Sequence, residues 1–299
     1  MNPAELALYP FERPATLAEL CRTLSARAGR RERTVLLAGG TDWIVERGVA
    51  PPENPDDLPL VLDVSRLPEL RAIQLAKERA AIGAAVTFLE IRSHPVLLRR
   101  APVLTAMARE VGAIQIQARG TLGGNLATAS PAADGAAALV ALDADVVLAS
   151  VHGERRVPLA QFFTGYRATR RAEDEAIVRV EFVLPRTGAH QAWRKVGTRA
   201  AQAISKVALA AVAELERGRV VRAGFGMASV APVTASLPTV RALALGPSLA
   251  SVSDEELDAA TRRDIAPIDD IRSTAAYRAH VAAALVKAFF RELRAAPGP

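Results

Sequence analysis

Cysteine is almost absent from this sequence, and histidine is rare. The 299 residues include one cysteine, Cys21, and four histidines, which are scattered without the spacing of a metal site. One cysteine excludes an internal disulfide and an iron–sulfur cluster ligated by this chain's own cysteines. Because Cys21 falls in an expected amphipathic helix, we interpret it as a buried structural thiol, and we expect no metal site.

Aromatic residues are also few, at 4% of the chain, although the net charge is +6. A positive charge can indicate nucleic-acid binding, but here the basic residues are dispersed and no aromatic stacking platforms are interleaved with them. No apolar run approaches the ~20 residues that cross a bilayer, and no signal-peptide pattern opens the sequence. We therefore expect a cytoplasmic protein that binds neither nucleic acid nor membrane.

The most informative stretch is a run of small residues from Arg119 to Asp134, Arg-Gly-Thr-Leu-Gly-Gly-Asn-Leu-Ala-Thr-Ala-Ser-Pro-Ala-Ala-Asp. Its three glycines allow positive φ and let a ligand approach the backbone. Successive N–H groups in such a turn can form a concave site for a phosphate or pyrophosphate. Taken alone, however, a Gly-Gly pair more often marks only a turn.

A second glycine turn strengthens the interpretation. Thr34 to Ala38 has the pattern of a buried strand, and Gly39-Gly-Thr-Asp42 follows it directly. A strand that ends in glycines with a hydroxyl and a carboxylate has the general form of a phosphate-binding turn. It is neither a Rossmann fingerprint nor a P-loop, because no G-x-G-x-x-G and no Gly-Lys-Ser/Thr is present. Two such turns suit a dinucleotide held at its diphosphate from two sides.

Both turns resemble the FAD loops in the flavin subunit of molybdenum hydroxylases, the family of xanthine dehydrogenase, aldehyde oxidase and aerobic carbon monoxide dehydrogenase. The resemblance covers nearly the whole chain in the same order, and it is greatest to bacterial xanthine dehydrogenase FAD subunits. The matching segments are Ala38–Asp42, Thr121–Asn125 with Ser130, Pro131 and Asp134, Phe162–Arg167, Arg194–Lys206 and Ile268–Arg278.

The resemblance implies an α+β fold. A two-lobed FAD-binding domain of the vanillyl-alcohol-oxidase (PCMH) type would occupy residues 1–184, with lobes of about 1–55 and 56–184. A smaller α/β C-terminal domain would follow at 186–299. The boundary falls at Pro185-Arg-Thr-Gly188, and two domains agree with the length of the chain.

The family also implies which residues bind FAD. The glycine turns would hold the diphosphate through backbone N–H groups, and other residues would bond the nucleotide or touch the flavin ring. The expected cofactor-binding residues are Val35, Leu36, Leu37, Ala38, Gly39, Gly40, Thr41, Asp42, Val111, Thr121, Leu122, Gly123, Gly124, Asn125, Asp134, Ile177 and Lys195.

Each of these residues has a plainer interpretation as well. Thr41, Asn125 and similar side chains commonly cap turns, and Asp134 would serve as the N-cap of the helix that includes Ala136. Val111 and Ile177 would fit an ordinary core. Lys195 matches a family lysine near the flavin, and the alternative is a solvated surface lysine.

By resemblance the chain is an oxidoreductase component, the FAD-carrying electron-transfer subunit of a multi-subunit molybdenum hydroxylase. Partner subunits would carry the molybdenum cofactor and the [2Fe-2S] clusters, and NAD, oxygen or a quinone would accept the electrons. Xanthine or hypoxanthine is the expected substrate. The alternatives are an aldehyde, nicotinate or carbon monoxide dehydrogenase, a self-contained flavoprotein oxidase, or a binding module that has lost its cofactor.

Three local expectations can be compared directly with the structure. Glu216-Arg-Gly218 lies between two apolar runs and predicts a β-hairpin, although the first run is rich enough in alanine for a helix. Ser253 and Ser273 are expected to cap the last two helices. The buried stripe of the final helix is predicted as Tyr277, Val281, Ala284, Leu285 and Ala288.

Overall fold

The computed structural model describes residues 8–49, 58–199, 202–246 and 248–295. The proline-rich stretch 51–59, where the sequence predicts an irregular connection, lies outside the described residues except for its last two positions. Helices alternate with a small parallel sheet and larger antiparallel sheets, which confirms the expected α+β class.

A three-stranded parallel sheet carries the first glycine turn. Its strands are β1 (Phe11–Glu12), β2 (Thr34–Leu37) and β3 (Leu60–Asp63), with β3 in the centre. The turn leaves the carboxyl end of β2 and leads into helix α2 (Trp43–Val49). Helix α1 (Leu17–Gly29) begins after the predicted cap Thr16 and buries Cys21 in the core, as expected.

A five-stranded antiparallel sheet follows. The sequence pattern predicts four of its strands, at Ile73–Leu75, Ala80–Ile82, Asp145–Ser150 and Ala176–Leu184, and the structure has a strand at each place. The fifth, β7, was not predicted because its arginines are exposed and pair with Glu175 and Glu181, so the strand shows no apolar alternation. Its strands, in spatial order, are β4 (Ile73–Ala76), β5 (Arg79–Gly83), β10 (Ala176–Val183), β6 (Asp145–Ser150) and β7 (Gly153–Pro158).

Short helices occur along the chain between Asp63 and Phe163. Pro95 and Pro102 each begin a helix, at the position where a missing N–H group costs nothing. The helices are α3 (Pro68–Arg71), α4 (Phe88–Ser93), α5 (Pro95–Arg100), α6 (Pro102–Glu110), α7 (Ile114–Arg119), α8 (Leu122–Thr128), α9 (Asp134–Ala141) and α10 (Leu159–Phe162). A two-stranded hairpin, β8 (Phe163–Gly165) and β9 (Ala168–Thr169), comes directly after α10.

The predicted hairpin around Glu216-Arg-Gly218 is confirmed, and it belongs to a third, antiparallel sheet. This sheet contains β11 (His190–Val196), β12 (Val207–Glu216) and β13 (Arg219–Ala228), with β12 in the centre. Alternate residues of β12 enter two different hydrophobic cores, one shared with the first two sheets and their helices and one formed with the C-terminal helices. Burial on both faces explains why β12 is almost continuously apolar.

Helix α9 packs unusually close to β13. A Cβ atom on Gly224 would lie 3.0 Å from the carbonyl carbon of Ala141, and one on Gly226 would lie 2.9 Å from that of Ala137. All eight residues of α9 are buried, and four of them are alanine. Small side chains on both partners therefore allow the helix backbone to rest on the strand, so the third sheet packs closely against the helix that follows the second glycine turn.

The C-terminal helices correct two predictions. Helix α13 buries Ala282, Val286, Phe289, Phe290 and Leu293, whereas Tyr277 and Ala284 of the predicted stripe are exposed. The predicted stripe was wrong because the buried face of the helix is determined by Phe289 and Phe290, which pack on Phe225.

The cap of this helix also differs from the prediction. Thr274, not Ser273, caps it: its side-chain hydroxyl accepts a hydrogen bond from Tyr277 N at 3.2 Å. The remaining elements are α11 (Pro238–Ala244), a 3₁₀ turn (Leu249–Ser251), α12 (Asp254–Asp264, capped by Ser253 as predicted) and α13 (Ala275–Ala295).

Candidate functional site

The two glycine turns, about 80 residues apart in sequence, are in direct contact. A Cβ atom on Gly39 would overlap the carbonyl group of Arg119, with 2.7 Å to its carbon. The hydroxyl of Thr128, at the end of the second segment, lies 2.8 Å from Oδ2 of Asp42 in the first. The sequence places both turns at one site, and the structure agrees.

These turns border a cavity of about 480 Å³ between the parallel sheet and the five-stranded sheet. Its volume lies within the ~300–1,000 Å³ typical of small-molecule sites. Leu122, Asp134 and Lys195 lie outside its lining. The predicted residues that line it are Val35, Leu36, Leu37, Ala38, Gly39, Gly40, Thr41, Asp42, Val111, Thr121, Gly123, Gly124, Asn125 and Ile177.

The first turn offers free backbone donors to this cavity. Among the described residues, the N–H groups of Gly39, Gly40, Thr41 and Asp42 donate to no protein acceptor. Gly40 has a φ of 74°, the left-handed region that glycine adopts without strain. Four consecutive unpaired N–H groups beside a cavity form a site suited to a phosphate or a diphosphate.

The second turn differs from the sequence expectation. Its first residues form helix α8, and none of Gly120, Gly123 and Gly124 has a positive φ. Their N–H groups already have acceptors within the chain: Gly123 N donates to Ala84 O at 2.8 Å, and Gly124 N to Thr121 Oγ1 at 3.1 Å. The second turn therefore presents side chains and a flat glycine surface to the cavity. The N–H groups of its glycines are already bonded within the protein and are not free for a ligand.

Gly124 nevertheless faces the cavity, which leads to a prediction for Gly124→Val. A Cβ there would contact only Thr121 Oγ1, at 3.0 Å, so the chain should fold with little strain. The branched side chain would instead occupy cavity space that a bound dinucleotide needs. We expect this steric block to lower cofactor affinity by about ten- to a hundredfold, at ~1.4 kcal/mol per factor of ten.

A titration of the apoprotein with FAD measures this change. Gly29→Val is the matched control, because a Cβ on Gly29 meets nothing within 4 Å and the residue is far from the cavity lining. Equal affinity in both variants would remove Gly124 from the site.

Asp134 and Lys195 form a buried ion pair behind the cavity wall. Lys195 Nζ donates to Asp134 Oδ2 at 2.5 Å and to Glu110 O at 3.1 Å, and both side chains are more than nine-tenths buried. Lys195 is therefore not a solvated surface lysine. Asp134 is the first residue of α9 and makes no cap hydrogen bond, so the N-cap interpretation was wrong; the carboxylate is used by Lys195.

Two acceptors near this pair have no hydrogen-bond partner in the part of the chain that the structure describes. Oδ1 of Asp134 and Oδ1 of Asn125 are buried without a hydrogen bond, and Asn125 Oδ1 would lie 2.5 Å from a Cβ on Gly135, the neighbour of Asp134. Orphaned buried acceptors are costly, at about 1–3 kcal/mol each. They mark this end of the cavity as a place that a ligand or an ordered water would complete.

Burial raises the pKa of Asp134 from 3.8 to about 6, against the opposing effect of Lys195. Between these pH values the folded chain binds more protons than the unfolded chain, so this group's contribution to stability falls as pH rises from about 4 to 6. Asp134→Asn removes the titration. The free energy of unfolding of that variant, relative to wild type, should therefore increase with pH by up to ~1.4 kcal/mol per unit.

Denaturant unfolding of the apoprotein at several pH values measures this difference. Asp258→Asn is the control, because the hydrogen bond from Arg262 lowers the pKa of Asp258 and its removal should give a slope of opposite sign near pH 4. If the difference in free energy of unfolding between wild type and Asp134→Asn does not change from pH 4 to 7, Asp134 does not titrate in that range.

Several cavity residues were not predicted from the sequence. Trp43 and Thr128 line the cavity next to predicted positions, and their place could have been inferred from the neighbouring motifs. Phe88 also lines it and lies in no motif; the fold brings it to the second turn, where its N–H donates to Gly120 O at 3.1 Å. Glu46 and Arg167 also line it and form an ion pair at 2.5 Å, although they are 121 residues apart. The only sequence feature that pointed to Arg167 was its place in the family-like segment Phe162–Arg167. No sequence feature pointed to Glu46.

Within the described ranges, no three histidine, cysteine or acidic side chains gather in a way that could hold a metal ion. No described helix is long and apolar enough to cross a membrane.

Comparison with known proteins gives the family. Residues 6–186 match the FAD binding domain in molybdopterin dehydrogenase, and residues 192–293 match the CO dehydrogenase flavoprotein C-terminal domain. The chain belongs to this family. It is thereby an FAD subunit of the molybdenum hydroxylase type. This confirms the family expected from the sequence, FAD as the cofactor, and the oxidoreductase class.

The nicotinate dehydrogenase FAD-subunit of Eubacterium barkeri is 39% identical over 175 residues, 58% of each chain. The xanthine dehydrogenase FAD-binding subunit of Escherichia coli O157:H7 is 29% identical over 292 residues, 96% of this chain and 97% of the relative. A carbon monoxide dehydrogenase structure from Hydrogenophaga pseudoflava has a TM-score of 0.84 at 26% identity, covering 94% and 95% of the two chains. The two-lobed FAD-binding fold expected from the sequence is confirmed.

Proposed function

We propose that this chain holds FAD in the cavity between its lobes and passes electrons from iron–sulfur clusters in a partner subunit to an external acceptor. The observation that carries the proposal is the row of four unpaired N–H groups from Gly39 to Asp42 at the cavity. A diphosphate is the part of FAD that needs such donors. FAD supplies the redox chemistry when it is bound, and the chain supplies binding, orientation and local charge.

The residues present fit this cofactor. Gly39 has no Cβ atom and so lets the first turn lie directly against the Arg119 carbonyl group, and Gly40 adopts the positive φ of the turn. Both glycines line the cavity, and so does Gly124 of the second turn. Thr41 and Thr121 add hydroxyl groups at the same place. We assign these residues, with Leu37, Ala38, Asp42, Gly123 and Asn125, to the nucleotide and diphosphate.

The flavin ring is assigned to the apolar part of the cavity. Val111 and Ile177 line it, and Ile177 is only 6% exposed. Lys195 bonds the carbonyl of Glu110, the residue before Val111, so its charge lies just behind this wall. We propose that Lys195 and Asp134 set the electrostatic field at the ring, while Val35, Leu36 and Leu122 support the turns from the core.

The finer identity of the complex rests on the relatives. The E. coli protein named as a xanthine dehydrogenase subunit aligns over nearly the full chain, which supports xanthine or hypoxanthine as the substrate of a partner subunit. The nicotinate dehydrogenase subunit is more identical over a shorter span, so nicotinate is the second candidate. NAD as acceptor, a molybdenum partner, a cytoplasmic location and the division into 1–184 and 186–299 are parts of the same proposal.

The purified chain is expected to carry noncovalent FAD, because no histidine lies in a recognisable flavin-attachment motif. Acid precipitation should leave a colourless protein pellet and yellow supernatant, and mass spectrometry of the supernatant should identify FAD. Yellow colour that stays with the pellet, or release of FMN in place of FAD, would contradict the assignment.

A further inference from the structure

Two side-chain links fasten helix α2 across the cofactor cavity. Asp42, directly before α2, lies 2.8 Å from the hydroxyl of Thr128 in the second turn. Glu46, four residues later, pairs with Arg167 at 2.5 Å. Residues four apart lie on the same side of a helix, so both carboxylates are directed at the opposite wall. All four residues line the cavity.

The Glu46–Arg167 pair lies at the mouth of this cavity and not in its interior. The Arg167 and Glu46 side chains are 50% and 40% exposed. Arg167 lies in the two-residue turn of the β8–β9 hairpin and has a φ of 52°, a conformation in which arginine is uncommon. The turn geometry therefore directs Arg167 toward α2.

Two apolar side chains of helix α2 are turned toward solvent. Ile44 and Val45 are 43% and 64% exposed. Its first residue, Trp43, contacts Tyr9 edge-to-face, with ring centroids 5.1 Å apart. Among the contacts of the described side chains, Trp43 holds the beginning of α2, and Asp42 and Glu46 join it to the far wall, the latter through an ion pair that solvent can reach. An exposed ion pair adds little to folding stability, so the pair is available for another role.

We propose that α2 is a clasp over the cofactor cavity, closed by the Glu46–Arg167 ion pair, which controls how fast the dinucleotide enters and leaves. This rests on the proposed function, because it takes FAD as the occupant. The ion pair changes the rates at which FAD enters and leaves the cavity, and not the stability of the bound complex. Opening the clasp breaks one ion pair in either direction of passage, so both rate constants depend on it while the equilibrium affinity does not.

A direct role for Arg167 as a phosphate partner makes a different prediction. Arg167→Gln would then accelerate release alone, and Glu46→Gln would tighten binding by freeing the guanidinium for the phosphate. The clasp instead predicts that Glu46→Gln and Arg167→Gln behave alike. The sign of the Glu46→Gln effect therefore separates the two.

The experiment measures FAD association with the apoprotein by stopped-flow flavin fluorescence, and FAD release from the holoprotein after dilution. Its variants are Glu46→Gln, Arg167→Gln and the exchanged pair E46R/R167E. Arg241→Gln is the control, because the Arg241–Asp143 pair has similar exposure and lies outside this cavity. Each neutral variant should raise both rate constants by about two- to fivefold, as expected for losing an exposed ion pair. Affinity for FAD should change less than twofold in each neutral variant. The double variant E46R/R167E should return both FAD rate constants to nearly their wild-type values.

Salt gives an independent readout. Added KCl should accelerate both steps in wild type by screening the pair, and should have little effect in Glu46→Gln. Rates in Glu46→Gln and Arg167→Gln that match those of Arg241→Gln would overturn the clasp while leaving FAD binding intact. Tighter binding in Glu46→Gln with unchanged association would also overturn it, in favour of a direct phosphate contact. Failure of wild type to bind FAD would defeat the proposed function, and the clasp with it.

Discussion

Gly39→Ala is expected to abolish tight FAD binding, with affinity lower by about a hundredfold to ten-thousandfold. The added Cβ would overlap the carbonyl group of Arg119, so the backbone of one turn must move away from the other. That movement displaces the unpaired N–H groups of Gly40 and Thr41 from the position at which a diphosphate meets them. Losing two charge-assisted hydrogen bonds of ~1.5–3 kcal/mol each corresponds to this range.

The change should also lower the stability of the apoprotein, which distinguishes it from Gly124→Val. A backbone overlap cannot be relieved by a side-chain rotation, and the contact of the two turns is part of the fold. Thermal unfolding without FAD should therefore show a lower Tm for Gly39→Ala, while Gly29→Ala should match wild type because its Cβ has open space. Retained FAD affinity in Gly39→Ala would mean that the cofactor does not need the turns in contact.

The sequence was a good guide where a local pattern decides the structure. Thr16 and Ser253 cap the helices they were expected to cap, and the turn at Glu216-Arg-Gly218 joins two strands. The sequence was a poor guide where a contact between residues far apart in the chain determines the structure. The buried face of α13 is set by packing on Phe225, about 65 residues away, and alanines on several faces of the helix leave its phase open.

The candidate site shows the same division. Residues that are neighbours within one motif, such as Gly39 and Gly40 or Gly123 and Gly124, reach the cavity together because they are adjacent in the chain. The pairing of Asp134 with Lys195 needs two residues 61 positions apart to meet, and only the family resemblance placed both near the site. Glu46 lies in no motif, so the folded structure alone reveals its link to Arg167.

One further expected result concerns the chain by itself. Holoprotein of this chain alone should not oxidise xanthine, hypoxanthine, nicotinate or an aldehyde, although dithionite should reduce its flavin. The relay from a substrate to the flavin needs redox centres, and Cys21 is the only cysteine and is buried. The described residues also gather no histidine, cysteine and acidic cluster for a metal.

Co-expression with an iron–sulfur subunit and a molybdenum subunit should restore substrate-dependent reduction of the flavin, and their substrate should determine which compound works. The measurement is anaerobic bleaching of the flavin absorbance after substrate is added, with dithionite as the positive control for a competent cofactor. A complex assembled with Gly39→Ala should form without bleaching, because the iron–sulfur centres would have no flavin to reduce. Xanthine-dependent bleaching in this chain alone would place the oxidising chemistry in its own cavity and overturn the electron-transfer assignment.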